Sequence, residues 1–195
     1  MLSSFSTTSP APAGEFVLWE GAFSAAELTM IEKYGDGLAR QKADLSGRRA
    51  GYDDIRITDV AWIERAPQIA WLYQRLEDMV LRLNAEFFRY ELFGLAESFQ
   101  YTVYHGSEGG HFDWHKDHGN AREEPRKISL SLQLSQGNAY EGCDLQLQSA
   151  GHIQTAPRSR GTLIAFPSYA LHRVTPIQVG ARKSLVIWAA GPEFR

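Results

Sequence analysis

At 195 residues, 44% hydrophobic and 22% charged, the chain has the size of one ordinary domain with a full core, and a composition neither disordered nor membrane-like. A formal net charge of −3 gives no electrostatic case for DNA or RNA as a standing partner. The single cysteine, Cys143, excludes an intrachain disulfide and a cysteine-based zinc finger.

The opening MLSSFSTTSPAPAGEF has no basic start and no long apolar run. It reads as a flexible leader over 1–15 rather than a signal peptide, and no stretch reaches the length of a membrane span. A cytoplasmic location without a membrane partner is the expectation. FVLWEGAF then leads into a helix start. Ser24 and Glu27 have the spacing of a capping box, with Phe23 and Leu28 placed as a hydrophobic staple. That helix should end near Gly35 to Gly37. RQKADLSGRRAGYDD is polar and glycine-containing, and reads as a long loop or lid over 40–56. Its Arg48, Arg49 and Arg56 could steer an anionic or peptide substrate, but a solvated loop is the simpler reading. A second, longer helix follows, with Pro67 in its first turn and Leu72, Leu76, Met79, Leu83 and Phe87 at three- and four-residue steps.

From Ser98 the texture changes to short runs with period-two alternation. ISLSLQL sets Ile128, Leu130, Leu132 and Leu134 on one face and Ser129, Ser131 and Gln133 on the other; DLQLQ, TLIAF and SLVIWAA are further strand-like runs. Helices first and many short strands afterwards predict a mainly β fold with flanking α: a double-stranded β-helix, or jelly roll, buttressed by N-terminal helices. The expected division is one domain over 16–195, with helical support over about 16–96 and a jelly-roll core over about 97–195. The serine and glutamine face could line a cavity between the sheets.

Four of the six histidines fall between His105 and His118. HFDWH lacks the glutamate of a zinc-protease HExxH helix. On a strand, residues two apart share a face, which selects His115 and Asp117 as an H-x-D pair. Two histidines and one carboxylate leave open coordination positions and suit non-haem Fe(II) oxygenases. The second histidine is then His152 or His172. His172 is followed, after a turn over 176–180, by Arg182 and Ser184, and a buried arginine beside an open metal site asks for an anionic co-substrate.

From about Phe16 to its end the chain resembles the 2-oxoglutarate/Fe(II)-dependent dioxygenase superfamily, and within it the prolyl-4-hydroxylase-like group. The resemblance rests on TVYHGSEGGHFDWHKD, RKISLSLQLSQGNAYEGCDLQL, GTLIAFPSYALHRVTPI and GARKSLVIW. It implies Fe(II) held by His115, Asp117 and His172, with Arg182 and Ser184 on the distal carboxylate of 2-oxoglutarate and Tyr104 lining the co-substrate pocket. Gln133 stands where relatives often carry a tyrosine that bonds the co-substrate, and is a further candidate contact. The implied activity is hydroxylation of a C–H bond with O2, releasing succinate and CO2, with ascorbate a candidate reductant. The substrate, a protein residue or a small metabolite, is not specified. Gly142-Cys143 replaces a common Gly-Gly turn, and Arg182 stands where collagen-type hydroxylases use lysine, so a collagen-like specificity does not follow.

The remaining polar residues have plainer readings. His105 reads as a loop residue, His111 as a partly exposed strand residue, His118 and Asp113 as solvated or structural, and His152 as a turn residue. Cys143 reads as an inert small side chain. Two other classes of function stay open: a non-catalytic jelly-roll module that binds metal or ligand, and a cupin-like zinc hydrolase. The second has no use for an Arg182–Ser184 clamp.

Overall fold

Ser24 caps the first helix, α1 (Ala25–Asp36), through both halves of a capping box: the Glu27 N–H donates to the Ser24 hydroxyl, and the Ser24 N–H donates to the Glu27 carboxylate at 2.7 Å. The staple partners Phe23 and Leu28 are both buried, and Gly37 closes the helix. The second helix, α2 (Ala70–Leu83), is preceded by a 3-10 turn at Pro67–Ile69. Leu72, Leu76, Met79 and Leu83 are buried along it. The expected periodicity through Phe87 continues as a π-helical segment, Asn84–Phe88, rather than as α-helix, ending at Arg89 in the left-handed region. These features belong to a computed structural model that describes residues 10–13, 16–43, 55–95, 97–118, 125–149 and 151–194.

Fourteen strands are present among the described residues. They are β1 (Ala11–Ala13), β2 (Phe16–Trp19), β3 (Gln41–Lys42), β4 (Arg56–Ile57), β5 (Asp59–Ile63), β6 (Phe99–His105), β7 (His111–His115), β8 (Arg126–Gln133), β9 (Tyr140–Gly142), β10 (Leu145–Ser149), β11 (His152–Thr155), β12 (Leu163–Pro167), β13 (Leu171–Val174) and β14 (Ile177–Ala190). One antiparallel sheet runs β1-β2-β12-β8-β14-β6-β5-β3, with β9 pairing β14 beside it. The other runs β11-β10-β13-β7-β4. This is a jelly roll. It takes in more of the N-terminal part than the helical support expected over 16–96, since β2, β3, β4 and β5 all lie there. Ala11–Ala13, read from sequence as leader, pairs with β2; the proline sits in an edge strand, where its missing N–H costs no ladder bond. Most of the lid expected over 40–56, including Arg48 and Arg49, lies outside the described residues.

The alternation of β8 reports a sheet with two different faces. Ile128, Leu130 and Leu132 join one buried cluster with Phe99, Tyr101 and Val103 of β6, Leu185 and Ile187 of β14, and Leu28, Ile31, Leu72 and Leu76 of the helices. Gly35 of α1 lies so close to the Tyr101 ring that a Cβ there would be 2.5 Å from it. The other face carries Gln100, Thr102 and Tyr104 of β6, Ser131 of β8, and Arg182 and Ser184 of β14, and these line a cavity between the sheets. Polar alternation here marks an internal cavity rather than solvent. Among the described residues no helix is long and apolar enough to cross a membrane.

Candidate active site

Neighbouring strands bring the two histidines together. His172 of β13 pairs in register with His115 of β7, and their ring centroids lie 4.1 Å apart. Asp117 completes the group: its Oδ2 is 3.5 Å from His172 Nε2, its Oδ1 is 3.8 Å from His115 Nε2, and one ligand atom from each residue lies within 4.8 Å of the others. The route to Asp117 differs from the strand-parity expectation. β7 ends at His115, and the chain bends so that the N–H groups of Asp117 and His118 both donate to the Ser168 carbonyl. The pair converges because of that bend.

The donor set fits a divalent metal. His115 Nδ1 lies 2.7 Å from the Asp113 carbonyl and His172 Nδ1 lies 3.0 Å from the Ala170 carbonyl, so both rings present an unprotonated Nε2 to the centre. Burial, and then the neighbouring His172, push the His115 pKa down to about 3, which keeps the imidazole neutral at physiological pH. Burial acts to raise the Asp117 pKa. His172, His115, Arg126 and the Ser129 hydroxyl outweigh it and hold the carboxyl well below the usual carboxylate range. Ser129 Oγ donates to Asp117 Oδ2 at 2.7 Å and lies 2.9 Å from Ser168 Oγ. Phe112 stacks on the His115 ring with centroids 3.4 Å apart. His152 is exposed on β11 and takes no part.

Across the cavity stands Arg182. It belongs to β14 in the other sheet, so the expected hairpin from His172 to Arg182 is not formed. The chain passes between sheets at Thr175 and Pro176, and Gly180 falls inside β14 with φ of 80°. The Arg182 side chain is 1% exposed, and its Nε and Nη2 donate to Gln133 Oε1 at 3.1 and 2.8 Å. Among the described residues no carboxylate pairs with it. Its guanidinium is 5.7 Å from the Tyr104 ring centroid, and Ser184 Oγ is 2.6 Å from Thr102 Oγ1. Tyr104, Arg182 and Ser184 line the same cavity as His115, Asp117 and His172, and Gln133 touches Arg182. Burial pushes the Cys143 thiol up to about 11, so it stays protonated.

Other histidines hold local structure. His105 Nε2 is 3.4 Å from Asp59, at the end of β6 rather than in a loop. His111 Nδ1 meets the Gly109 carbonyl, and His118 Nδ1 the Arg126 carbonyl. Two arginines take places that the sequence reading did not give them. Arg56 was expected in a solvated loop; it lies in β4, paired with β7, with its side chain in the cavity. Arg126 pairs with Glu97 through two bonds of 2.6 Å and lies 3.6 Å over the Trp188 ring. Strand parity groups it with the core residues Ile128 and Leu130. A register shift between Ala189 and Ala190 breaks that parity and frees its side chain for Glu97 and Trp188.

Residues 99–190 match the family model of the 2OG-Fe(II) oxygenase superfamily. A PKHD-type hydroxylase of Cupriavidus pinatubonensis is 31% identical over 146 residues, spanning 71% of this chain and 63% of that protein. One of Shewanella oneidensis is 41% identical over 61 residues, spanning 31% of this chain and 27% of its own. The chain thus matches less than two thirds of the length of these curated relatives. Among solved structures, a Trichoplax adhaerens prolyl hydroxylase, in complex with a hypoxia inducible factor oxygen degradation domain peptide, superposes with a TM-score of 0.74 at 20% identity, covering 91% of this chain and 84% of its own. A Pseudomonas putida prolyl-4-hydroxylase superposes with a TM-score of 0.69 at 20% identity, covering 92% and 94%. At that identity the superpositions speak for the fold. The family match spans β6 to β14 and takes in the His–Asp–His cluster, so residues 99–190 form a region of the 2OG-Fe(II) oxygenase superfamily.

Proposed function

We propose that residues 16–195 act as one Fe(II)- and 2-oxoglutarate-dependent dioxygenase domain that hydroxylates a C–H bond with O2 and releases succinate and CO2. The observation that carries this reading is Arg182: a buried guanidinium without a carboxylate partner among the described residues, lining one cavity with His115, Asp117 and His172. A charge buried in that way is stable only with an anion to receive.

His115, Asp117 and His172 would hold the metal through two neutral Nε2 atoms and one carboxylate, leaving positions for the co-substrate and O2. Bound Fe(II) with 2-oxoglutarate supplies the oxidising chemistry, which needs no general base from the protein. Arg182 receives the distal carboxylate, with Ser184 beside it. Gln133 fixes the guanidinium by accepting from both Nε and Nη2, so the clamp is oriented before the co-substrate arrives. Tyr104 forms a wall; burial raises the pKa of its phenol and keeps it neutral beside an anion. Leu145, Phe166 and Val174 line the other side and exclude water.

Anaerobic addition of Fe(II) and 2-oxoglutarate should produce a visible charge-transfer absorption that vanishes in His115→Ala and weakens strongly in Arg182→Ala. No band with the intact protein refutes the reading. A band without succinate formation under oxygen, across a substrate library, would favour the non-catalytic binding module.

A further inference from the structure

The cavity holds a second cation that the proposed chemistry leaves without work. Arg56 lies over the Phe112 ring, its guanidinium carbon 4.5 Å from the centroid, and Phe112 in turn stacks on His115. Its Nη2 donates to Gln100 Oε1 at 3.0 Å. Its Nε is buried without a hydrogen-bond partner, and no carboxylate among the described residues is in ion-pair contact with it. Trp188, on the same cavity, has an indole Nε1 that is also buried and unpartnered. Buried donors left without acceptors are rare in native proteins, and two of them on one cavity point to a ligand that accepts.

Charge points the same way. A divalent metal and a dicarboxylate co-substrate neutralise one another, and the single charge of Asp117 can balance only one of the two cavity arginines, Arg56 and Arg182. Arg126, the other arginine nearby, is already committed to Glu97. One positive charge of the loaded cavity is left unbalanced, and Arg56 is the cavity arginine whose Nε lacks an acceptor. Burial works against that charge, so its retention there calls for an anion. The arginine fork is suited to a carboxylate.

We propose that the primary substrate presents a carboxylate to Arg56, with Trp188 Nε1 as a second donor, so that the oxidised C–H bond belongs to a carboxylate-bearing compound. This rests on the dioxygenase reading above and assigns the substrate class of that site.

The test uses trifluoroacetate as a carboxylate probe, read by fluorine NMR on the full chain loaded with Mn(II) and saturating 2-oxoglutarate. Loading is followed separately by the electron paramagnetic resonance of Mn(II). Saturable paramagnetic broadening of the probe is expected, weakened at least tenfold in Arg56→Gln and partly kept in Arg56→Lys. Both variants should still load metal and co-substrate, which shows them folded. Failure to load in the unmodified protein refutes the dioxygenase reading. Normal loading with no saturable broadening, or with equal broadening in Arg56→Gln, overturns the substrate assignment alone. Broadening that disappears as 2-oxoglutarate is raised places the probe on Arg182 and overturns it too. Competition by free alanine, or by a blocked tripeptide with a central aspartate, supports the assignment and separates a free acid from an acidic peptide. Equal competition by alaninamide overturns it.

Discussion

Ser129 donates its hydroxyl proton to Asp117 Oδ2 at 2.7 Å, although the two residues come from different parts of the fold, one on β8 and one in the bend after β7. The bond fixes the carboxylate's rotation and favours its charged form. Removing it in Ser129→Ala should lower divalent metal affinity by about 10- to 100-fold, as loss of an outer partner of a ligand generally does. Competition between the protein and a chromophoric chelator for Mn(II) measures this. Unchanged affinity would mean that Ser168 and the backbone suffice to hold Asp117.

Gln133→Glu replaces the acceptor on Arg182 by a carboxylate of nearly the same shape. The guanidinium then gains an internal counter-ion and no longer needs an external one. Co-substrate affinity should fall at least about tenfold, by analogy with the loss of a charge-assisted bond, while metal affinity stays unchanged. Titration of 2-oxoglutarate with metal held constant separates the two.

Gly35 sits where α1 meets β6. In Gly35→Ala, helix propensity would add about 1 kcal/mol, but the new methyl would meet the fully buried Tyr101 ring. Overpacking of this kind costs about 1 to 3 kcal/mol, so a net loss of stability is expected. The midpoint of urea unfolding should fall. A rise would mean that α1 can lift from the sheet without penalty.

The α1 capping box should leave a mark on acid stability. Burial acts to raise the Glu27 pKa, but the Ser24 bonds and Arg75 outweigh it and bring the carboxyl below its ordinary value of 4.5. A carboxylate whose folded value is lowered stabilises the fold above the unfolded value and loses that contribution as pH falls through the folded one. Glu27→Gln should therefore cost about 1 kcal/mol at neutral pH, the usual scale of a helix cap. The difference from the unmodified chain should close under strongly acidic conditions. Parallel denaturation curves at pH 7 and in acid check it.

The sequence shows the fold through its periods. The three-four spacing of Leu72, Leu76, Met79 and Leu83 and the alternation of ISLSLQL both survive in the structure because each has one face on a shared core. His115 and Asp117 were paired by a strand rule that the chain does not follow; the bend after β7, tied to the Ser168 carbonyl, brings them together instead. Arg56 and Arg126 were illegible for a physical reason. Each is placed by something with no local signature: a two-residue strand at the end of a long polar stretch, and a register shift beside Ala190. Contacts made across sheets, such as Arg182 sharing a cavity with His115, Asp117 and His172, leave only distant spacings in the chain.

One strand supplies Arg182, Ser184, Val186 and Trp188 to the cavity while Leu185, Ile187 and Ala189 on its reverse side hold the core. Single replacements along β14 can therefore retune specificity one position at a time. Loss or gain of a single residue after Gly180 would instead exchange the two sets wholesale, putting leucine where the clamp belongs and a guanidinium in the core. Diversification of this site by point substitution is open, and by insertion or deletion within that strand it is closed.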